Sequence, residues 1–222
     1  LIETCASSYA GQIPLILKVN SSNSLSRNSD APTQAITGSI SEAIRLGCSA
    51  IGFTIYPGSD DSLNMISEIQ ELAAEAKSHG LAVVVWSYPR GGNISKEGET
   101  AVDIVSYAAH MAALIGAHII KVKPPTEFLE DINTKKVYVD NKIPISTLRD
   151  RIKNVVESCF QGKRIVIFSG GSAKNTEGLL NEIREIYNGG GFGSIIGRNS
   201  FQRPKKEALI LLSQIIDIYK GK

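Results

Sequence analysis

Short apolar runs bounded by small or polar residues recur along this chain, and their spacing limits the possible folds more than any other feature. The runs are Pro14 to Val19, Ala50 to Tyr56, Ala82 to Tyr88, His118 to Val122, Arg164 to Phe168 and Ser194 to Gly197. Each has the length and continuous hydrophobicity of a buried strand. Between them lie segments with helical periodicity; in Ser62 to His79, for example, Ile66, Ile69, Leu72, Ala73 and Ala76 share one face. A parallel return needs a crossover, and the crossover here is helical each time, so the order demands a parallel sheet covered by helices.

Two architectures satisfy that order, an open doubly wound sheet and a closed barrel. Six strands suit the open sheet as they stand. Two Gly-rich strand exits, Ser169-Gly170-Gly171 and Gly197-Arg198, favour the barrel, where loops after the last two strands commonly form a phosphate site. A closed barrel of this kind has eight strands. The expectation is therefore an α/β fold, a (β/α)8 TIM barrel present as strands 3 to 8 with the N-terminal two β/α units missing. Residues 1–222 would form a single incomplete barrel domain. The longest connection, Pro124 to Pro144, carries Glu127, Asp131, Lys135, Lys136 and Asp140 and reads as a surface excursion or a lid.

Composition narrows the function classes. The 24 Lys plus Arg against 22 Asp plus Glu give a net charge of +2, too little for a general field that draws in nucleic acid. A small anion needs local cations alone. Cys5, Cys48 and Cys159 are odd in number and show no C-x-x-C or Cys/His spacing, so neither a disulfide framework nor a zinc site is expected, and a cytoplasmic setting fits. His79, His110 and His118 have no carboxylate or Cys at ligand spacing, so no metal is expected. No apolar run reaches the ~18 to 20 residues of a membrane helix and no signal peptide is read, so no membrane partner is expected.

Alternation along a strand places residues two apart on one face. Lys18 with Asn20, Thr54 with Tyr56, Trp86 with Tyr88, and Lys121 with Lys123 thus pair up at four consecutive strand ends. An Ile-Ile-Lys-Val-Lys strand buries at least one lysine stem among apolar neighbours, and burial disfavours the ammonium form. A neutral lysine amine is a nucleophile that forms a Schiff base with a carbonyl substrate. The alternative has Lys121 and Lys123 snorkelling to solvent or holding phosphate. Trp86 and Tyr88 either cap the core or supply an apolar wall and a proton-transferring phenol. The turns after the last two strands offer backbone N–H groups to an anion, with the Arg198 guanidinium as a second grip, or are simply tight turns. Arg90 and Lys96 lie in a loop that could meet a second phosphate.

The segments IPLILKVN, AIGFTIYPGSDDS, VVVWSYPRGG, GAHIIKVK, VIFSGGSA and SIIGRNSFQRP occur in order over nearly the whole chain. In them the sequence resembles the class I fructose-1,6-bisphosphate aldolases of bacterial and archaeal type, the DhnA family, and several resemble its bacterial branch. The resemblance implies reversible Schiff-base cleavage of fructose 1,6-bisphosphate to dihydroxyacetone phosphate and glyceraldehyde 3-phosphate, with no external cofactor. It implies Lys121 as the Schiff-base lysine, Tyr88 as the proton-transferring tyrosine and Trp86 as its neighbour. Ser169, Gly170, Gly171, Gly197 and Arg198 match the phosphate-binding turns, and Lys18 matches a strand-three lysine with an electrostatic role. A sugar-phosphate substrate and a homo-oligomer are the implied partners, a decamer being one size in keeping with it. The chain departs from the family pattern in lacking the DQG-like or DHG-like Asp segment of strand one, and in carrying His118 where the family usually has Asp. Fold and lysine alone also suit a related Schiff-base aldolase, transaldolase or thiolase acting on another phosphorylated ketose or diketone, or a sugar-phosphate-binding protein without turnover.

Overall fold

The structure, a computed structural model, describes residues 2–23, 25, 31–170 and 175–222. A first helix α1 (Ile2–Tyr9) leads to strand β1 (Ile16–Lys18), after which β2 (Asn20–Ser21) and β3 (Ala35–Ile36) form a small antiparallel ladder. There follow α2 (Ile40–Arg45), β4 (Ala50–Ile55), α3 (Ser62–Ser78), β5 (Ala82–Ser87), α4 (Val102–Leu114) and β6 (Ile119–Val122). The remaining elements are α5 (Ile132–Asp140), α6 (Leu148–Ser158), β7 (Ile165–Ser169), α7 (Thr176–Asn188), β8 (Gly193–Ile195), α8 (Arg198–Phe201) and α9 (Lys205–Tyr219). All six apolar runs become strands of one sheet, in the chain order β1-β4-β5-β6-β7-β8. A doubly wound sheet reverses its strand order at a switch point. This order does not reverse, which decides for barrel-type winding.

By internal contacts the chain divides into two compact units, Leu1–Ile94 with His110–Ile120 and Ser95–Ala109 with Lys121–Lys222. In the first, β4 is the central element. It pairs in parallel with β1, setting Lys18 opposite Gly52, and with β5, setting Gly52 opposite Val84. All six of its residues are buried. Helix α3 buries Met65, Ile69, Ala73 and Ala76, with Ile66 and Leu72 half-buried at the margins of that stripe. Ser39 and Glu42 close a reciprocal capping box that starts α2, satisfying donors that a short helix otherwise leaves to water.

In the second unit β7 and β8 pair in parallel, with Ser169 opposite Ile195. Leu179, Leu180 and Ile183 of α7 pack against Leu211, Ile215 and Ile218 of α9. Burying such side chains is worth about 1.5–3 kcal/mol each at most, and this cluster seats the two helices that follow the last two strands. The long connection after β6 holds α5 and is docked at several points. Asp103 accepts the backbone N–H groups of Glu130 and Asp131, Arg151 donates to the carbonyls of Pro125, Ile145 and Ser146, and the Tyr138 hydroxyl donates to Asn154. It is a pinned surface excursion.

Candidate active site

Strands β5, β6 and β7 each have one fully buried face and one partly exposed face. On β5 the buried set is Val83, Val85 and Ser87, while Trp86, with Tyr88 just beyond the strand, lies on the other face. On β6 Ile120 and Val122 are buried and Lys121 is partly exposed; on β7 Val166 and Phe168 are buried and Ser169 is partly exposed. Trp86, Tyr88, Lys121, Lys123 and Ser169 therefore all alternate with buried residues and are themselves partly exposed.

In the first unit, the ends of β1 and β4 are joined by polar side chains. Asn20, fully buried, accepts the Thr54 N–H and donates to the Thr54 carbonyl, both at 2.8 Å. The Lys18 Nζ donates to the Asn20 carbonyl, to Asn20 Oδ1 at 3.2 Å and to Gln34 Oε1 at 3.1 Å. Gln34, itself buried, passes the connection on by donating to the Tyr56 hydroxyl at 2.7 Å. Desolvation of its ammonium lowers the Lys18 pKa.

Trp86 owes its position to a glycine one strand away. A Cβ at Gly52 would overlap the indole ring, so a strand residue without a side chain is what lets the ring lie flat there. The Tyr88 N–H donates to the Ile55 carbonyl at 3.0 Å and fixes the strand end. Burial pushes the Tyr88 phenol up to about 12, against a smaller opposing pull from Arg90. The Arg90 guanidinium lies 5.8 Å from the Tyr88 ring centre and 5.9 Å from that of Tyr56, within cation–π range of both. At neutral pH the phenol is therefore protonated.

In the second unit the two lysines of β6 separate. Burial lowers the Lys121 pKa, while its strand neighbours Ile120 and Val122 occupy the opposite, fully buried face. Lys123 instead forms an ion pair with Glu99 at 3.0 Å, and Lys96 reaches the same carboxylate at 2.8 Å. Burial pushes Glu99 up, but the two lysines together outweigh it and leave its carboxyl below the usual value. The ion pair with Glu99 thus sets Lys123 apart from Lys121. Glu99 lies 24 residues before Lys123 in the sequence and carried no signal in its surroundings.

After β7 and β8, Ser169 and Gly170 lie among the described residues, whereas Gly171 lies outside them. Gly197 caps the short helix begun by Arg198, and both are exposed. Buried Asn199 donates to the Gly170 carbonyl at 3.0 Å, and Arg203 donates to the Asn199 carbonyl at 2.7 Å and to Thr176 Oγ1 at 2.8 Å. Spacing gave Arg203 no role, and Asn199 figured only as a member of the Gly-rich turn after the last strand. At the start of α7 the N-cap Asn175 takes the Gly178 N–H at 2.8 Å, so one donor of that helix terminus is already used. Among the described residues no group of three or more His, Cys, Asp or Glu is placed to hold a metal ion, and no helix is long and apolar enough to cross a membrane.

Comparison with known proteins places this arrangement. The family description "DeoC/LacD family aldolase" matches residues 1–203. The chain is 34% identical to the fructose-bisphosphate aldolase class 1 of Thermoproteus tenax, over 96% of this chain and 71% of that protein. It is 33% identical to a probable fructose-bisphosphate aldolase class 1 of Chlamydia muridarum, over 99% of this chain and 65% of that one. The chain thus spans about two thirds of the length of these relatives. A solved archaeal fructose-1,6-bisphosphate aldolase, with its catalytic Lys covalently bound to the carbinolamine intermediate of the substrate, superposes with a TM-score of 0.78 at 31% identity, over 97% of this chain and 75% of that one. The shared fold is the α/β, TIM-barrel-like fold expected from the run of strands.

Proposed function

Because the chain belongs to the DeoC/LacD family of aldolases, we propose that it carries the Schiff-base machinery of a class I fructose-bisphosphate aldolase, a carbon–carbon lyase. The observation that carries this reading is Lys121, an amine whose ammonium form is disfavoured by burial on an otherwise apolar strand. Its Nζ adds to the C2 carbonyl of the open ketose, and loss of the carbonyl oxygen as water leaves an iminium. Removal of the C4 hydroxyl proton breaks the C3–C4 bond. Its electron pair moves into the iminium, releasing glyceraldehyde 3-phosphate and leaving an enamine. A proton added at C3 and hydrolysis then release dihydroxyacetone phosphate and restore the lysine.

Tyr88 starts this cycle as a phenol, able to protonate the departing C2 oxygen; the phenolate so formed can take the C4 hydroxyl proton. Trp86 shields the imine from water. Lys18, held by neutral oxygens, contributes a fixed positive charge. Ser169, Gly170, Gly171, Gly197 and Arg198 belong to the turns that bind a phosphate of the substrate, with the Arg198 guanidinium as the charged grip. The iminium is the electron sink, so the chemistry calls for no cofactor. A cytoplasmic homo-oligomer acting on a sugar phosphate completes the reading.

The test is mass spectrometry after borohydride reduction in the presence of dihydroxyacetone phosphate, comparing the protein with Lys121→Ala. A reduced adduct mapped to Lys121 and absent from the variant is expected. A folded protein that forms no adduct would sink the Schiff-base mechanism and leave phosphate binding without covalent chemistry.

A further inference from the structure

The two turns proposed to hold phosphate follow consecutive strands, and their separation must be fixed for backbone N–H groups to converge on one anion. The β7–β8 ladder ends with Ser169 opposite Ile195, followed by one more main-chain bond, from the Gly170 N–H to the Ile195 carbonyl at 3.3 Å. Among the described residues, the coupling beyond that bond passes to side chains. Asn199, only 3% exposed, sends its amide N–H to the Gly170 carbonyl at 3.0 Å. Arg203 spreads its guanidinium between two segments, with Nε donating to the Asn199 carbonyl at 2.7 Å and Nη1 to Thr176 Oγ1 at 2.8 Å.

Gly170 and Thr176 bracket residues 171–174, and both are tied in this way to the segment 197–203. Gly170 also has little room of its own, since a Cβ there would press on Ile196. We propose that Arg203, acting with Asn199, is a positioning residue that sets the two turns at the separation a phosphate requires, an inference that rests on the phosphate-binding role proposed for them. A planar guanidinium can serve both acceptors at once, whereas an ammonium or an amide on the same stem lacks that fork.

The test uses inorganic phosphate as the probe, by titration calorimetry on the whole chain, together with borohydride trapping of dihydroxyacetone, which has no phosphate. Arg203→Gln is expected to weaken phosphate binding about tenfold, the loss of roughly one to two hydrogen bonds, and to leave trapping of dihydroxyacetone within twofold of the unaltered protein. Thr176→Val, which removes one acceptor and keeps the side-chain shape, is expected to weaken phosphate binding about threefold, and serves if Arg203→Gln does not fold. Unchanged phosphate affinity in a folded variant overturns the proposal. So does an equal loss of phosphate binding and dihydroxyacetone trapping, which marks a general structural role, and so does an unaltered protein that binds no phosphate. If the unaltered protein binds phosphate but forms no adduct, the Schiff-base reading fails by itself, and the phosphate titrations still judge Arg203.

Discussion

The ends of β1 and β6 each present a lysine, and their surroundings suit the two amines to different tasks. Burial lowers the pKa of both Lys18 and Lys121. At the end of β1, three neutral oxygens from Asn20 and Gln34 converge on the Lys18 Nζ. Three acceptors match the three N–H groups of an ammonium, so hydrogen bonding works against the desolvation and the site holds a charge in place. At β6 the residues on either side of Lys121 in the strand are fully buried and apolar, and the cation two positions further on, Lys123, has a carboxylate of its own in Glu99. Desolvation is common to both amines; what differs is that neutral oxygens are seen on Lys18, whereas beside Lys121 a second lysine is paired with Glu99.

Replacing each lysine by Met is the sharpest way to break that comparison. Lys121→Met is expected to lower turnover by ~10^4-fold or more and to abolish the reduced adduct. Lys18→Met is expected to cost ~10^2-fold while the adduct still forms, as for the loss of one electrostatic group. Loss of the adduct in both variants would mean that Lys18 takes part in imine formation, and the distinction would fall.

A smaller effect is expected at the support of the β1 end. Asn20→Leu removes both bonds to the Thr54 backbone and leaves a buried N–H and C=O without them. The expected cost is about 2–3 kcal/mol, read as a lower denaturant midpoint at unchanged slope. A variant as stable as the parent would show that Lys18 is positioned by other means.

The smallest effect concerns Glu99. Its folded pKa lies below the ordinary value of 4.5, so its contribution to stability is present above pH 4.5 and is lost as the pH falls through the folded value. Glu99→Gln should flatten the stability profile in that acid window, by about 1 kcal/mol or less because Lys96 is mostly exposed and its pairing is screened. Urea titrations at pH 3, 4 and 6 would measure it. Equal acid sensitivity in both proteins would show that Glu99 does not act as the paired carboxylate that holds Lys123.

Much of this molecule was legible residue by residue. Each apolar run is a strand to within two residues, and the stripe on Ser62–Ser78 is the buried face of that helix, because strand and helix periods depend on local geometry alone. The Asn20–Ser21 and Ala35–Ile36 ladder and the helix Ile40–Arg45 went unread, being too short to show a period. On β5 and β6 the strand-end pairs share the partly exposed face, yet spacing left Lys121 and Lys123 equivalent.

The sequence by itself determined the alternation of strands and helices, the faces on which Trp86, Tyr88 and Lys121 lie, and the segments that place the chain among the aldolases. These follow from hydrophobic period and residue type, which need no partner distant in the chain. Only the tertiary structure decided that Lys123 is given to Glu99, that Gly52 makes room for Trp86, and that Asn199 and Arg203 tie Gly170 to Thr176. Each of those depends on two groups far apart in sequence meeting within a hydrogen bond or a ring contact, and no local pattern encodes such a meeting.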